Sequence, residues 1–436
     1  MRFSIGLLVV AGCHSAGPAR PAEGTPPPAP SGSVALPDAA APDASDAIAP
    51  VLAAASCAAT GSVTLAPRDP RSIENVRVAF ASRALVTWED ENAGAADPTR
   101  SANAAWIDWS PTPHTTTAIL PYRAYASAVY SYIGPTRGNG LELFTYGLAG
   151  LPTFERFAQK EAVWAKIDPN MGSAPTPTKA LVVDMSVEEA FAVADSAPVA
   201  AVAGEETPCE SLYSCESIYL PALRKGFEAS VRVVALGAKP SSEVVWRSGS
   251  PRSNRGKTLP FAPAIAFGAT KGAVVFRVER ALMLSNLDAA FHPSPPVTIA
   301  TGDVGAPAVA MKGDSAVVAW AERASPTEPY HLVIWDGAPH VVKSGAASAF
   351  APSLAVRDAE VVVAWMEGDA ERHGQIRLGR APLSGEIDLT SAPVLSEAGV
   401  NARDPEISLA GDEVVLVWSE FSKTTKIQAR KLTCPR

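Results

Sequence analysis

Short apolar runs alternate with polar turns along most of this chain, and the same order of residues returns several times. Residues 352–368 read "PSLAVRDAEVVVAWMEG", which is an apolar run, a polar turn, and a second apolar run that ends in Trp and Glu. Nearly the same order appears at 307–323 and at 405–421. Short runs rich in Val and Ala, separated by polar turns, predict β-hairpins. The pattern therefore predicts a repeat built from antiparallel strands.

The copies align on one position near the end of the second strand, here called the aromatic slot. In the three clearest copies the slot follows a proline at a constant interval: Pro307 to Trp320, Pro352 to Trp365 and Pro405 to Trp418. Looser copies fill the chain back to residue 75. The complete set of slots is Trp88, Tyr146, Val202, Phe276, Trp320, Trp365 and Trp418. Seven units are thus predicted.

Each hairpin is followed by further strand candidates, such as 375–381 and 426–432, and in one unit by a fourth at 392–398. The run "EVVVAW" is apolar on both strand faces, as in a strand covered by neighbours on both sides. Short antiparallel strands in a repeat of forty or more residues, without helical periodicity, are typical of propeller blades. We predict an all-β fold, a seven-bladed β-propeller.

The last unit ends after three strands, and an unassigned strand candidate, "GSVTLAP" at 61–67, precedes the first unit. We expect this N-terminal strand to complete the last blade and close the ring, which removes exposed strand edges. Cys57 and Cys434 flank the junction. Their disulfide would close a very long loop, worth on the order of 5 kcal/mol in the chain-entropy description.

The N-terminus reads as an export signal. Residues 1–12 hold one Arg, a short apolar run and small residues before Cys13. The sequence Val-Ala-Gly-Cys ending at Cys13 resembles the lipobox of bacterial lipoproteins, which implies acylation of Cys13. An ordinary signal peptide is the alternative. By the same resemblance, His14 favours the outer membrane, with the protein facing the periplasm or the cell surface.

Residues 13–56 are rich in Pro and Ala and poor in large apolar side chains, which predicts a disordered tether rather than a fold. In polyproline form it would reach about 100 Å. The propeller is expected over 57–436. Besides Cys13, Cys57 and Cys434, the chain holds Cys209 and Cys215, which predict a second disulfide in an exported protein.

Composition excludes one class of partner. The formal net charge is −8, and clustered Lys and Arg are absent, so no nucleic-acid partner is expected. The chain is 47% hydrophobic but only 7% aromatic, which suits many small stacked strands. We expect a monomer whose membrane contact is the N-terminal lipid.

The repeats resemble the seven-bladed propellers of the sialidase-like and BNR-repeat group, and the tethered layout resembles propeller lipoproteins of Gram-negative bacteria. Repeats of that group carry an Asp-box, Ser-x-Asp-x-Gly-x-Thr-Trp. Here 252–259, "RSNRGKTL", keeps Gly256 and Thr258 but has Asn254 in place of the Asp. The Arg-Ile-Pro segment of sialidases is absent. The resemblance therefore implies the fold without sialidase activity.

Other catalytic patterns are also missing. The segment 255–258, "RGKT", lacks the first glycine of a phosphate loop, and no HExxH or GxSxG motif occurs. We expect no catalytic residues, no metal and no cofactor. Ser, His and Asp assemble in space, so spacing alone leaves that chemistry open.

Carboxylates recur shortly after the aromatic slots and form the first group of candidate ligand-binding residues: Glu205, Glu279, Glu322, Glu367 and Glu420. At one end of a ring they would make an acidic mouth. The alternative is structural, and we expect each carboxylate to be held by a neighbouring Arg or a backbone amide.

An insertion at 204–226, between the third and fourth slots, supplies the second group. Insertions in propellers project from one face and often carry recognition, although a stiffened loop without a function is the alternative. Its candidate contact residues are Glu205, Glu206, Glu210, Tyr213, Glu216 and Tyr219.

The sequence thus favours a cell-envelope lipoprotein whose propeller binds or scaffolds a protein or glycan ligand, and an enzyme is not expected. The alternative is a carbohydrate-active hydrolase or lyase on the same fold. Such an enzyme would need two or three carboxylates at the central channel with separated pKa values.

Overall fold

The structure is a computed structural model of the 436-residue chain. All regular elements in its described part are β-strands, and no helix there is long and apolar enough to cross a bilayer. The described residues all belong to the compact unit Ala53–Arg436. They are 57–65, 73–80, 83–92, 99–110, 112–117, 129–135, 141–148, 159–167, 178–184, 186–193, 198–206, 228–235, 241–248, 260–345, 347–368, 374–422 and 425–435.

The described strands form seven antiparallel sheets, numbered 1 to 7 along the chain. Strand β1 (Ala58–Leu65) belongs to sheet 7. In sheets 1 to 4, four consecutive strands lie side by side in chain order. Sheet 1 comprises β2 (Ile73–Phe80), β3 (Ala84–Asn92), β4 (Thr99–Asp108) and β5 (His114–Thr117). Sheet 2 comprises β6 (Val129–Pro135), β7 (Leu141–Leu148), β8 (Gln159–Ile167) and β9 (Thr178–Asp184). Sheet 3 comprises β10 (Ser186–Val193), β11 (Pro198–Glu206), β12 (Glu228–Ala235) and β13 (Ser241–Arg247). Sheet 4 comprises β14 (Pro260–Phe267), β15 (Gly272–Val278), β16 (Ala281–Leu287) and β17 (Val297–Thr301).

Sheets 5 to 7 vary this plan. In sheet 5 the first strand is broken into two pieces, which both pair with the second strand. Sheet 5 comprises β18 (Asp303–Val304), β19 (Ala308–Lys312), β20 (Ser315–Arg323), β21 (His331–Trp335) and β22 (Pro339–Val341). Sheet 6 comprises β23 (Ser348–Arg357), β24 (Glu360–Gly368) and β25 (Gln375–Pro382). Sheet 7 comprises β26 (Asn401–Ala410), β27 (Glu413–Phe421), β28 (Thr425–Thr433) and, outside β28, strand β1.

The fourth strand predicted for sheet 6 at 392–398 is reduced to a single bridge between Arg377 and Val394. Pro393 has no N–H to donate to a ladder. The carbonyl of Ala392 instead accepts a 2.6 Å hydrogen bond from the Arg377 guanidinium. Only the Leu395 N–H donates to β25, at 2.7 Å to the Ile376 carbonyl. This edge therefore stays irregular.

All seven aromatic slots lie on the second strand of their sheets, as the repeat predicts. Where the side chain is described, the slot is buried: Trp320, Trp365 and Trp418 are each at most 1% exposed, and Phe276 is fully buried. These second strands are apolar on both faces because a sheet packs against each side of them. Buried clusters join sheets 3 and 4, 4 and 5, 5 and 6, and 6 and 7.

The first strands lie against one another in succession, from β2 through β6, β10, β14, β19 and β23 to β26. Strand β26 in turn contacts β2, and one buried cluster joins Val415 and Val417 of sheet 7 to Val78 and Val86 of sheet 1. Antiparallel sheets stacked face to face around their first strands are the blades of a β-propeller. The fold class is therefore an all-β propeller.

Sheet 7 joins the two ends of the folded chain. Strand β1 pairs with β28 from Ala58–Thr433 to Leu65–Ile427. Cys57 and Cys434 form a disulfide across 377 residues of sequence, with their Cα atoms 4.3 Å apart. This bond was predicted from the sequence and is confirmed.

Candidate functional site

The first strand of every sheet has an equivalent position that can be defined by its pairing with the second strand. It pairs with the residue that precedes the aromatic slot, and we call it the ring position. The registers that define it include Arg77 with Thr87, Ser353 with Ala364, and Glu406 with Val417. The ring residues are Arg77, Ser131, Ala190, Ala264, Ala308, Ser353 and Glu406.

A local irregularity sets the ring position in most sheets. In sheets 1, 4, 6 and 7 a β-bulge lies opposite the slot, immediately before the ring residue. Pro263, Pro352 and Pro405 occupy three of these bulges, where a missing N–H costs no ladder hydrogen bond. The residue before each proline has a positive φ, 46° at Ala262, 43° at Ala351 and 51° at Asp404. Bulges re-aim the side chains that follow them.

Alternation along each strand then separates two environments. The residues directly after the ring position include Val78, Ile265, Leu354 and Ile407, all buried in the cores between sheets. Successive side chains on a strand point to opposite sides. The ring position therefore lies on the opposite face of each first strand, toward the next sheet, where Ala190 and Ala308 pack against the buried clusters that join sheets 3 and 4 and sheets 5 and 6.

The polarity of the ring residue differs between the sheets. Sheets 6, 7, 1 and 2 contribute Ser353, Glu406, Arg77 and Ser131, which we call the polar arc. Sheets 3, 4 and 5 contribute the alanine arc, whose members are all partly exposed: Ala190, Ala264 and Ala308. The ring position thus carries polar residues in sheets 6, 7, 1 and 2 and alanine in sheets 3, 4 and 5.

Three members of the polar arc meet across sheet boundaries. Arg77 Nη1 lies 3.6 Å from Glu406 Oε2, and the Ser353 hydroxyl lies 3.4 Å from the same oxygen. The Ser353 hydroxyl also accepts a 3.0 Å hydrogen bond from the Ile407 N–H. Sheet 7 is thereby connected through its first strand to sheets 6 and 1.

Glu406 is enclosed by protein but still reached by solvent. Its side chain retains 30% of its accessible surface, and that of Arg77 retains 34%. Burial raises the pKa of Glu406 above its ordinary value of 4.5, against the opposing effects of the Arg77 charge and the Ser353 hydroxyl. Its two polar contacts are longer than a good charge-assisted hydrogen bond of about 2.8 Å.

Three of the predicted acids share a different role. Glu322, Glu367 and Glu420 stand two residues after their slots, and residues two apart lie on the same face of a strand. The indole Nε1 of Trp320 donates a 2.7 Å hydrogen bond to Glu322, and that of Trp418 a 2.9 Å bond to Glu420.

Cross-strand neighbours complete these contacts. Gln428 lies opposite Trp418 and donates a 3.0 Å hydrogen bond to Glu420. Arg377 lies opposite Trp365 and donates a 2.5 Å bond to Glu367. Glu367 and Glu420 are 8% and 1% exposed. These acids hold their own sheets together.

The other two acids predicted after the slots, Glu205 and Glu279, lie an odd number of residues from their slots. Glu205 and Glu279 stand three residues after their slots rather than two. Glu205 pairs with Ala229 on β12, and Glu279 lies in the turn after β15 with a φ of 54°, exposed to solvent. The five acids therefore do not form one crown, because Glu205 has the other strand parity from Glu322, Glu367 and Glu420, and Glu279 lies in a turn.

Arg323 directly follows Glu322 in the chain but binds another acid. Its Nε donates a 2.6 Å hydrogen bond to Asp303, and the hydroxyl of Tyr330 donates a 3.0 Å bond to the same carboxylate. These contacts lower the pKa of Asp303, with the Arg323 hydrogen bond as the largest cause. Burial and the Asp303 contact raise the pKa of Tyr330.

The remaining predicted residues give no geometry. Glu206 ends β11 with Glu205. Cys13 and most of the insertion lie outside the described residues. The predicted residues of the insertion that lie there are Cys209, Glu210, Tyr213, Cys215, Glu216 and Tyr219. Within the described ranges no group of three or more His, Cys, Asp or Glu residues is placed to hold a metal ion.

The ring residues were missed by sequence reasoning, although the sequence carries a signal for them. In four aligned units the residue after the proline is the ring residue: Ala264, Ala308, Ser353 and Glu406. A position that changes from Ala to Ser to Glu within otherwise constant units is a candidate for function. Strand parity and the bulge were needed to show where it points.

Comparisons with known proteins return distant likenesses. The chain is similar in structure to Trypanosoma rangeli sialidase, with a TM-score of 0.44 and 9% identity over 85% of this chain and 59% of that one. It is similar to Pyrococcus horikoshii acylaminoacyl peptidase, with a TM-score of 0.44 and 8% identity over 83% and 52%. It is also similar to a prolyl endopeptidase, with a TM-score of 0.45 and 11% identity over 82% of this chain and 46% of that one.

The chain thus spans between 46% and 59% of the length of these three structures. At such identities and scores, the likeness carries no information about activity. No protein-family model matches the sequence, and no curated protein matches it.

Proposed function

We propose that this protein is a lipid-anchored, seven-bladed propeller of the cell envelope that binds a ligand at the partly exposed Arg77–Glu406 pair without transforming it. The seven sheets are the blades, and β1 closes the ring by completing sheet 7. Support for closure comes from the β1–β28 ladder, the Cys57–Cys434 disulfide and the contact of β26 with β2.

The observation that carries the binding role is the partly exposed Arg77–Glu406 pair, considered with the composition of the ring position. Of its seven residues, only Glu406 is a carboxylate. Most glycoside hydrolases need two carboxyl groups about 5 to 10 Å apart, one as acid and one as base or nucleophile. The repeated acids Glu322, Glu367 and Glu420 do not supply the second, because indole, guanidinium and amide groups of their own sheets hold them. A single acid beside an Arg and a Ser suits recognition.

One observation favours the alternative, a carbohydrate-active hydrolase or lyase. The raised pKa of Glu406 is the direction required of a general acid near neutral pH. In that case a second carboxylate is needed, and Glu210 and Glu216 of the insertion, which lie outside the described residues, are candidates. These two residues, with Glu206, Tyr213 and Tyr219, otherwise serve as candidate contacts for a protein or glycan ligand.

Turnover separates the two functions. The full-length chain, purified in detergent, is tested on a panel of chromogenic glycosides and on a glycan array. The binding role predicts no hydrolysis of any glycoside. Hydrolysis that disappears in Glu406→Gln and persists in Glu386→Gln, a change at an exposed glutamate, would establish the enzyme instead.

The envelope location is tested separately. Incorporation of labelled palmitate into the wild-type chain, and its loss in Cys13→Ala, is the expected result. Processing of Cys13→Ala to a normal mature product would favour the ordinary signal peptide. Fractionation of the labelled protein into the outer membrane is expected from His14 after the cysteine.

A further inference from the structure

The outermost strand of sheet 7 has a near-copy in the N-terminal tether. Strand β1 contains "TGSVTL" at 60–65, and residues 31–36, here called the tether copy, read "SGSVAL". The Gly, Ser, Val and Leu keep their identity and their spacing. The tether copy lies outside the described residues. We propose that the outer edge of β28 accepts either of these two strands, and that the Cys57–Cys434 disulfide selects β1.

The residues that the two strands share are those that the edge of sheet 7 requires. A Cβ atom at Gly61 would lie 2.9 Å from the ring of Trp109, so a larger residue would displace that ring. Leu65 is 5% exposed and belongs to the buried cluster that joins sheets 7 and 1, and Val63 packs against the same cluster. The tether copy supplies the same three residue types at the same spacing: Gly32, Val34 and Leu36.

The differences between the two strands favour β1 when both compete for the edge. The hydroxyl of Thr64 donates a 2.9 Å hydrogen bond to Gln428 Oε1, and the tether copy has Ala35 in that place. The β1 ladder also extends back to Ala58. In the tether copy Pro30 lies within that stretch, and a proline cannot donate to a ladder. The tether copy therefore fits the edge but binds it less well.

The disulfide decides the competition. Cys57 stands four residues before Gly61, whereas the residue four before Gly32 is Pro28. Of the two strands, only β1 brings a cysteine to Cys434 at this edge. The bond therefore keeps β1 on β28 and excludes the tether copy. Before the bond forms, the two strands are two states of one edge, and their populations depend on noncovalent contacts alone.

The exchange would change the length of the tether in the proposed lipid-anchored protein. With β1 in place, residues 13–56 separate the lipid from the fold. With the tether copy in place, only residues 13–30 do, and the extended reach falls to roughly two-fifths. This consequence rests on the proposed anchor at Cys13, whereas the exchange itself is measured without a membrane.

A disulfide trap tests the exchange in the full-length protein in detergent. In the variant Cys57→Ser, Pro28→Cys, the new thiol takes the place of Cys57 when the tether copy occupies the edge. Glutathione disulfide accepts two electrons and two protons from this thiol and that of Cys434, which join as a disulfide while two glutathione thiols are released. We expect peptide mapping by mass spectrometry to find position 28 joined to Cys434.

The matched control is Cys57→Ser, Ala39→Cys. Position 39 is nearer to β1 in sequence, so chance encounters of a loose tether would bring it to Cys434 at least as often as position 28. With the tether copy docked, position 39 follows the end that pairs with Ile427, at the opposite end of β28 from Cys434. We expect the bond from position 28 to form about tenfold faster or more. Equal rates, or a faster reaction at position 39, would overturn the proposal.

Amide exchange gives a second readout without a new cysteine. In Cys57→Ser, Leu65→Asp, β1 places a charge in the buried cluster, so the tether copy becomes the better strand. We expect the amides of residues 33–36 to exchange about tenfold more slowly than in the wild type. Adding Leu36→Asp should remove this protection, whereas adding Ala39→Asp should keep it. If residues 33–36 stay unprotected in Cys57→Ser, Leu65→Asp, whether that variant is folded or unfolded, the tether copy does not replace β1.

Discussion

The indole of Trp418 and the carboxylate of Glu420 form a hydrogen bond of 2.9 Å between two residues on the same face of β27. Both side chains are 1% exposed, and Gln428 supplies a second donor from β28. The alternation of a strand explains the Trp-x-Glu spacing, because only residues two apart share a face. The repeated glutamate is therefore a hydrogen-bond acceptor for the slot tryptophan.

Replacement of this acceptor should be costly. Glu420→Ala leaves two buried donors, the Trp418 indole and the Gln428 amide, without a partner. We expect a loss of about 3 kcal/mol in the free energy of unfolding, measured by urea denaturation. Glu386→Ala, at an exposed glutamate, should change it by less than about 0.5 kcal/mol. Equal effects of the two substitutions would show that the indole contact contributes nothing.

Sheet 6 provides a natural contrast to sheet 7. Arg377 stands where sheet 7 has Gln428, and its guanidinium donates a hydrogen bond to Glu367. The indole Nε1 of Trp365 is therefore buried without a hydrogen-bond partner. Arg377→Gln copies the arrangement of sheet 7 and frees Glu367 to accept from Trp365. We expect its free energy of unfolding to stay within about 1 kcal/mol of the wild type.

The control for this exchange is Arg377→Leu, which removes every donor at the same position. Glu367, 8% exposed, would then be a buried charge without compensation, and a loss of about 3 to 5 kcal/mol is expected. Similar unfolding free energies for the Gln and Leu variants would contradict the prediction, since the amide would then have formed no substitute contact.

Much of the fold could be predicted from the sequence, because the repeat reports strand order directly. The slots from Trp88 to Trp418 all lie on second strands, and Cys57 pairs with Cys434. The segment 392–398 was expected to form a strand but forms only a single bridge, for a local reason that the repeat does not encode. Pro393 lacks an N–H, and Arg377 takes the Ala392 carbonyl.

The candidate site was harder to predict, because it depends on register and parity. Counting residues after a slot placed Glu279 and Glu322 in one group, although Glu322 still lies on its strand and Glu279, one residue further from its slot, lies in the turn after β15. Glu406 and Arg77 are 329 positions apart in sequence and meet only because sheet 7 packs on sheet 1. No local pattern contains that contact.

The raised pKa of Glu406 has a consequence for stability. Because its pKa is higher in the folded than in the unfolded chain, the folded state binds the proton more tightly. The stabilising contribution is complete below the unfolded value and is lost as the pH rises through the folded value. Glu406→Gln, which stays neutral, should therefore have a higher Tm than the wild type at pH 7.

The difference between the two Tm values should shrink as the pH falls toward about 4, where the wild-type carboxyl is also protonated. Thermal melts from pH 4 to pH 8 measure it. A Tm advantage for the wild type at pH 7 would mean that the attraction of Arg77 outweighs the cost of burial.

The Cys57–Cys434 bond should matter through the unfolded state. It closes a loop of 377 residues, so the double variant Cys57→Ser, Cys434→Ser should lose up to about 5 kcal/mol in unfolding free energy. Amide exchange should accelerate most in β1, which is held to β28 on one side only. Unchanged exchange in β1 would show that the ladder alone secures it.

The same variant isolates the second predicted disulfide. If the predicted Cys209–Cys215 bond forms, reductant lowers the Tm of the wild type through two bonds, but in the double variant it can act only on that one. A further drop in Tm on reduction of the double variant is the expected sign of that bond. No drop would indicate that these two cysteines are free or that their bond does not stabilise the fold.

Arg357 of β23 holds the C-terminal end of the chain against sheet 6. Its Nη1 donates to the carbonyl of Cys434 and to Asp412, each at 2.9 Å, and its Nη2 donates to Glu360 at 2.8 Å. The Arg357 side chain is 7% exposed. Arg357→Met keeps the length of the side chain but removes all of these donors, and it leaves a buried carbonyl next to the disulfide without its partner.

We expect Arg357→Met to lower the unfolding free energy by about 3 to 5 kcal/mol, as when one partner of a buried ion pair is removed. The matched control is Lys343→Met, which breaks an ion pair whose members are 55% and 65% exposed and should cost at most about 1 kcal/mol. Because Arg357 connects sheet 6 to sheet 7, amide exchange in β28 should rise in Arg357→Met and stay unchanged in Lys343→Met. A loss of stability without faster exchange in β28 would place the effect of Arg357 within sheet 6, and its role in holding the chain end would be refuted.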